Sequence, residues 1–206
     1  MSRSLGTPLV VRHVTDALLR ILREALPALA ETDIVAAPLD TLPPVTANQQ
    51  RVLLYLYRVA ESAHLKNQGP EYEEVSTPEG DVTLRRLDPL TLDLHYLLVP
   101  FSGRERYLET HELLGLSTAA FHERGAFRLG ELGVVGLTEE ETRIELHLTK
   151  EPLSIEELAH IWEAVHEPYR LSVSYCVRTL QIRTDPGATT RRVTERVLLM
   201  DDMTNG

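Results

Sequence analysis

The sequence predicts an α/β (α+β) fold in which a mixed β-sheet is flanked by helices. One strand-like segment, 51–59, is apolar on both faces, which is typical of strands inside a sheet that is covered on each side, and a second, 90–101, has one face that is apolar from end to end. Two further segments, 14–29 and 154–165, repeat apolar residues at helical spacing. Strands and helices that alternate in this way indicate a layered domain with one central sheet.

The composition limits the possible functions. A formal net charge of −10 argues against unaided binding to nucleic acid or to an anionic membrane, because phosphate contacts need local cations. No run approaches the roughly 20 apolar residues of a membrane-spanning helix, and residues 1–7 lack a signal-peptide core. The only cysteine, Cys176, excludes an internal disulfide and favours synthesis in the reducing cytoplasm. We expect a single domain over residues 1–206, with its core at about 9–184.

The elements of the first half follow from periodicity and prolines. Helix 14–29 is amphipathic and should end near Leu26 or kink, because Pro27 removes an interior hydrogen bond. A short strand is expected at 33–37, before the two-faced strand 51–59. Segment 62–88 mixes glycine, proline and an acidic run, so it is predicted to be a long loop.

The central strand 90–101 has the clearest pattern in the chain. Leu94, Tyr96 and Leu98 alternate onto a face that is apolar along its whole length, and the opposite face turns apolar near the end of the strand. Pro100 is expected to end this strand. The helix that follows, 104–122, has apolar residues nearly all round, which predicts burial against the sheet on one side and against a second subunit on the other.

The second half contains one half-exposed strand and the helix with the clearest start signal. Strand 142–149 alternates apolar and polar residues. Ser154 and Glu157 form a capping-box pattern at the start of helix 154–165. The apolar positions then change parity near Arg178, which predicts a β-bulge. The turn-forming residues 185–187 predict an Arg-rich hairpin over about 180–200 that projects from the core.

Candidate catalytic groups are few, and each has an ordinary structural explanation. Asp93 and His95 share one face of the central strand and could orient an imidazole, but a satisfied polar pair under the following helix is the preferred interpretation. Cys176 lies within a core strand, so an inert buried thiol is expected. His160 and Glu163 lie on one helix face and are interpreted as a solvated pair.

Two motif-like patterns are incomplete. His111-Glu112 lacks the second histidine of a zinc-protease helix, because Gly115 occupies that place. The glycines at 130, 133 and 136 precede neither a helix start nor the Lys-Ser or Lys-Thr pair of a phosphate loop. We therefore predict no catalytic, metal or cofactor site.

Four segments, taken together and in this order, resemble one known family. They are the opening helix with Val14, Leu18 and Leu22; the strand 54–59; the strand 92–98 with Leu113-Leu114-Gly115; and helix 154–162 followed by the segment 169–175. In these segments the chain is similar to the tail-terminator, or cap, proteins of extracellular contractile injection systems, which are phage-tail-like particles. The resemblance covers most of the chain from residue 11 to about 183.

The resemblance implies a structural role. Such a cap forms a ring, of six copies by this analogy, that ends the polymerisation of the inner tube and sheath and holds the last sheath ring. Self, sheath and tube are the implied partners, and the protein would be made in the cytoplasm and carried in a particle that can be released. The alternative is a small-ligand-binding or enzymatic α/β domain.

The sequence also gives two predicted interfaces. The exposed side of helix 104–122 predicts a contact between copies. The hairpin predicts a docking edge for the sheath. The ordinary alternative for the hairpin is a solvated strand edge that its charges protect. The predicted contact between copies consists of Leu108, Leu113 and Leu116. The predicted partner contact consists of Leu180, Ile182, Arg183, Arg191, Arg192, Val193, Arg196 and Val197.

Overall fold

The computed structural model describes residues 6–40, 49–62, 71–76, 82–87, 90–103, 106–182 and 189–191. These form two compact units, and the expected single domain over residues 1–206 stays a prediction. The second unit contains strands β3, β4 and β9, and the first contains all the other elements. In chain order the elements are α1 (Val10–Ala25), β1 (Ile34–Ala36), β2 (Gln50–Glu61), β3 (Glu71–Ser76), β4 (Val82–Leu87), β5 (Leu90–Ser102), α2 (Tyr107–Glu123), β6 (Ala126–Arg128), α3 (Glu139–Thr142), β7 (Glu145–Glu151), α4 (Ile155–Ala164), β8 (Val173–Ile182) and β9 (Thr189–Arg191).

The first unit is built on a six-stranded sheet in the order β1-β2-β5-β8-β7-β6. β1 is parallel to β2, and the other neighbouring strands are antiparallel. β5 lies in the middle, where its residue Leu98 pairs with Leu54 of β2 on one side and with Val173 of β8 on the other. The predicted central strand is therefore confirmed, and so is the mixed sheet flanked by helices.

β5 does not end at Pro100, as the sequence suggested, but continues to Ser102. Pro100 pairs with Val52 of β2, while the pairing of β5 with β8 stops at Leu98. A proline lacks a backbone N–H donor. It is tolerated where a strand extends beyond the end of a neighbouring strand, as β5 does here beyond β8.

Both faces of the sheet are apolar. On one face Tyr96 and Leu98 lie in a core with Leu18 of α1 and Phe121 of α2. On the other face Leu97, Val99 and Leu53 form a smaller core with Trp162 of α4. The alternation predicted for β5 is thus confirmed through most of its length. Its first residue, Leu90, departs from the prediction because it is exposed.

The helix limits follow local sequence signals. α4 begins after Ser154, whose hydroxyl accepts from the Glu157 amide at 3.2 Å while the Glu157 carboxylate accepts from the Ser154 amide at 2.8 Å. This confirms the predicted capping box. α1 ends at Ala25, two residues before Pro27, as the proline predicted. α2 covers the predicted helix 104–122 with slightly shifted limits.

Two β-bulges interrupt the large sheet. On β8, Arg178 and Thr179 together oppose the single residue Asp93 of β5, which confirms the irregularity predicted near Arg178. On β2, Tyr57 is the extra residue between Leu56 and Arg58. A bulge changes the direction of side chains along a strand, and Tyr57 is redirected in this way.

The second unit corrects two expectations. Segment 62–88 was predicted to be a loop, but it contains β3 and β4, which pair antiparallel. The hairpin predicted over 180–200 is not formed by the described residues, because β9 pairs with β4 and not with β8. Both sides of β8 are already occupied, by β5 along one side and by β7 and Gly6 along the other.

Candidate functional site

A cluster of polar side chains in the large sheet gathers around one carboxylate. Oε2 of Glu151, at the end of β7, accepts hydrogen bonds from the Tyr57 hydroxyl at 2.9 Å and the Ser174 hydroxyl at 3.1 Å. Nδ1 of His95 lies 2.8 Å from the same oxygen. The β2 bulge places the Tyr57 hydroxyl at this point. Four neighbouring strands, β2, β5, β8 and β7, are joined by this cluster.

The environment sets the charge of the cluster. Burial alone would raise the pKa of Glu151, but hydrogen bonds from His95 and Tyr57 outweigh it and the pKa is lowered. Burial, together with the Glu151 charge, raises the pKa of Tyr57 to about 12. At neutral pH the cluster therefore holds a charged carboxylate beside a neutral phenol.

This arrangement does not resemble a catalytic site. The Ser174 hydroxyl donates to Glu151, but a carboxylate whose pKa is lowered is too weak a base to take a proton from a serine hydroxyl. The three partners of Glu151 all converge on one oxygen. The geometry fits a polar lock that fixes the register of four strands.

The predicted partner of His95 is corrected by the same cluster. His95 contacts Glu151 across the sheet, and Oδ1 of Asp93 is buried without a hydrogen bond. Residues two apart on one strand lie about 7 Å from each other, so a residue on another strand can come closer. Sequence pattern could not reveal this partner, because 56 positions separate it from His95.

The other candidate groups do not combine into a site. The Cys176 side chain is buried, and burial raises the pKa of its thiol, as expected for an inert cysteine. His160 and Glu163 are exposed on α4, and His111 is exposed on α2. Within the described part of the chain, no three His, Cys, Asp or Glu side chains are grouped closely enough to hold a metal ion.

The outer face of α2 is the most apolar exposed surface of a helix in the first unit. Leu108 is 79% exposed, Tyr107 is 59% exposed and Leu116 is 47% exposed. Tyr107 and Leu116 lie on opposite sides of the helix, with Leu108 between them on the outward side. We call Leu108 and Leu116 the α2 outer face. Leu113, which the sequence analysis grouped with Leu108 and Leu116, is only 3% exposed because it points into the chain's own core. Leu113 is therefore not part of this surface.

The start of α2 is held firmly. The side chains of Gln50 and Arg106 both donate to the Glu109 carboxylate. The Ser102 hydroxyl lies 2.5 Å from the Thr110 hydroxyl and also donates to the Arg106 carbonyl. These contacts fix the first turn of α2 to β2 and β5, so that the α2 outer face is preorganised for binding.

The predicted partner contact near the C-terminus is placed differently. Leu180 and Ile182 are buried in β8, opposite Leu92 and Leu90, and so belong to the core. Arg191 ends β9 in the second unit. The remaining predicted contacts, Arg183, Arg192, Val193, Arg196 and Val197, lie outside the described residues.

Comparison with known families identifies the group to which this fold belongs. The family model described as the Pvc16 N-terminal domain matches residues 13–196. The chain belongs to the Pvc16 N-terminal domain family. Among curated proteins, none matches this chain.

Two solved structures are similar in fold to this chain. The cryo-EM structure of a PVC sheath/tube terminator, from an extracellular contractile injection system in its extended state, aligns with a TM-score of 0.58 and 16% identity, over 97% of this chain and 66% of that chain. The cryo-EM structure of the anti-feeding prophage cap, described as a tube-terminating cap, aligns with a TM-score of 0.57 and 18% identity, over 91% of this chain and 60% of that chain. This chain therefore spans less than two thirds of each of these relatives.

The first unit also contains a buried carboxylate that the sequence pattern did not reveal. Glu141 of α3 is fully buried, and its Oε1 accepts from the Thr7 amide at 2.8 Å and from the Thr7 hydroxyl at 2.6 Å. Its Oε2 accepts from the Thr138 amide at 3.1 Å and lies 3.2 Å from Nδ1 of His13. The Thr138–Glu141 capping box was a readable signal for the helix start, but not for the long-range bonds.

The charge of Glu141 is maintained by its partners. Burial alone would raise its pKa, but the bonds from Thr7 and Thr138, with His13 nearby, more than offset burial and lower it. A charged, fully buried carboxylate with several donors forms strong hydrogen bonds.

Among the described residues, no helix is long and apolar enough to span a membrane.

Proposed function

We propose that this chain is a cap that forms a ring on the distal end of the tube and sheath of a contractile injection particle and ends their polymerisation. The observation that carries the proposal is the likeness in fold to a PVC sheath/tube terminator over 97% of the chain, together with membership of the Pvc16 N-terminal domain family. The likeness to the tube-terminating cap of the anti-feeding prophage supports the same role.

The ring is proposed to be a homohexamer. A closed ring needs two different surfaces on each copy that fit one another. The α2 outer face is offered as one of them, because Leu108 and Leu116 are exposed apolar side chains on a helix whose first turn is fixed. An apolar centre on a rigid element is typical of an assembly interface.

The sheath and the inner tube are the proposed partners. The segment after β8, with Arg191, Arg192, Val193, Arg196 and Val197, is retained as the proposed docking edge for the last sheath ring. The described part of this segment, β9, forms the end strand of the three-stranded sheet, and a strand at the end of a sheet can accept another strand. The chain would be made in the cytoplasm and leave the cell in the assembled particle.

No enzymatic activity is proposed. The polar cluster around Glu151 supports a structural role, because its hydroxyl groups are committed to that carboxylate. We therefore find no observation that favours the alternative of a small-ligand-binding or enzymatic domain.

The proposal is tested in particles assembled with one variant cap at a time. Leu108→Glu places a charge on the α2 outer face, whereas Val135→Glu changes a side chain of nearly equal exposure, 80%, outside α2. We expect Leu108→Glu to prevent ring formation and to give tubes of uncontrolled length in electron micrographs, while Val135→Glu gives normal particles.

Normal length with Leu108→Glu would remove the α2 outer face from the proposed ring. Normal length in particles that lack the chain altogether would overturn the cap function itself. The two results separate the choice of surface from the function.

A further inference from the structure

Residues Gly6 and Thr7, which precede α1, close part of the edge of β8. The Gly6 amide donates to the Gln181 carbonyl at 2.8 Å, and Gly6 forms a parallel bridge with Ile182. The pairing of β7 with β8 stops at Arg178, so that Gln181 and Ile182 lie beyond the protection that β7 gives. Gly6 thus occupies the edge at the point where β7 no longer covers it.

The fit of this segment is tight. A Cβ atom on Gly6 would lie 2.7 Å from the Val10 side chain, which is fully buried in the core. Only glycine can therefore approach β8 so closely without moving Val10. The backbone path of the segment is set by this packing as well as by its hydrogen bonds.

One bond to a strand edge is a weak attachment for a segment that must be ordered. Fixing a residue costs about as much free energy as a neutral hydrogen bond returns. The additional attachment is Glu141, whose Oε1 accepts both the Thr7 amide and the Thr7 hydroxyl. Bonds to a buried charged oxygen are about twice as strong as neutral ones.

We infer that Gly6 and Thr7 form an edge guard, held by Glu141, which prevents a second copy of the chain from adding a strand to β8 at Gln181 and Ile182. An open strand edge offers unpaired backbone groups to another chain, and natural proteins cover such edges. Glu141 is suited to hold the guard because its other oxygen is bound by Thr138, which ties the guard to α3. The edge guard is separate from the α2 outer face and does not depend on the proposed cap function.

The first test measures whether Glu141 holds the guard. Both Gly6 and Thr7 donate their amide protons to the bonds described here, so hydrogen exchange at these two amides reports the guard directly. Glu141→Gln keeps the shape of the side chain but removes its charge. We expect exchange at Gly6 and Thr7 to become about tenfold faster, the equivalent of one charge-assisted bond, while amides in the middle of α1 stay protected.

A matched control and a second variant keep this test decisive. Glu139→Gln removes a charge from the same short helix, α3, but its side chain is 85% exposed and it should leave both amides protected. Thr7→Val removes one hydroxyl donor without changing α3, and should accelerate exchange in the same direction. Unchanged exchange in both Glu141→Gln and Thr7→Val would overturn the role of Glu141.

The second test measures whether the guard prevents self-association. Gly6→Val should displace the guard through its clash with Val10. All variants carry Leu108→Glu as well, so that association through the α2 outer face does not obscure the result. We expect light scattering to show larger species for Gly6→Val and Glu141→Gln than for the Glu139→Gln control. Faster exchange without any self-association would overturn the guard function.

Discussion

The hydroxyl of Tyr57 donates to Oε2 of Glu151 across 2.9 Å, although 94 positions separate the two residues in the chain. The bond joins β2 to β7 across the two strands that lie between them in the sheet. It depends on the β2 bulge, which turns Tyr57 toward the carboxylate. A small irregularity in one strand is therefore coupled to the alignment of four.

The first prediction follows from this bond. Tyr57→Phe should lower the free energy of unfolding by about 1–2 kcal/mol, because Glu151 and Ser174 lose a partner in a partly buried site. Urea denaturation measures the change. Tyr169→Phe, at a side chain that is 46% exposed, should change stability by less than about 0.5 kcal/mol. Equal effects of the two substitutions would contradict the role of the Glu151 cluster in holding the four strands in register.

The second prediction concerns acid. The native pKa values of Glu141 and Glu151 are lowered, so in the unfolded state these groups bind protons at a higher pH than in the native state. The free energy of unfolding should therefore fall as the pH drops from about 5, near the unfolded glutamate pKa of about 4.3, through the native pKa values. Glu151→Gln should reduce this loss between about pH 5 and about pH 3, as measured by denaturation at each pH.

The control for the acid prediction is Glu139→Gln, whose side chain is 85% exposed. Its stability should follow the pH dependence of the parent protein. If Glu151→Gln also followed the parent curve, the bonds around Glu151 would not be the source of the acid sensitivity.

The third prediction separates core from surface on α2. Leu113→Ala should cost about 2–4 kcal/mol of stability, because the side chain is buried and its removal leaves a cavity. Leu108→Ala should change stability by less than about 0.5 kcal/mol, because that side chain is exposed, but should weaken the proposed ring. Thermal unfolding measures the first quantity and light scattering the second. A large stability loss in Leu108→Ala would mean that the helix face is covered within the chain.

The fourth prediction tests the proposed sheath contact. Deleting residues 185–200 removes β9 from the three-stranded sheet, and should give a cap that still ends the tube but holds the sheath poorly. Short or prematurely contracted particles are the expected result in micrographs. Reversing the charges with Arg192→Glu and Arg196→Glu keeps the segment and should give the same defect. Normal particles from both variants would exclude the segment as a sheath contact.

The parts of the fold that sequence predicted well are those that local pattern determines. The alternation around Tyr96 placed the central strand, and the Ser154–Glu157 pair placed the start of α4. The change of parity near Arg178 correctly indicated a bulge, because a shift of one residue reverses the face of every later side chain.

The parts that sequence did not predict depend on contacts between distant segments. The pairing of β9 with β4 was missed because a turn signal after β8 favours a hairpin, while Gly6 already occupies the side of β8 that a hairpin would need. The partners of Glu141 and Glu151 were missed for the same reason. Thr7, Tyr57 and His95, which bind these glutamates, are far from them in the sequence. Leu113 was assigned to a surface because periodicity cannot distinguish two apolar faces of one helix.

The position of Trp162 gives the protein a built-in optical probe. It is the only tryptophan in the chain, and it is 2% exposed in the smaller core. Its indole nitrogen lies 3.4 Å from the Ser172 hydroxyl. Its fluorescence therefore reports the packing of α4 on the sheet. A red shift of the emission would signal that α4 has left the sheet, and could be followed in a stopped-flow instrument without any added label.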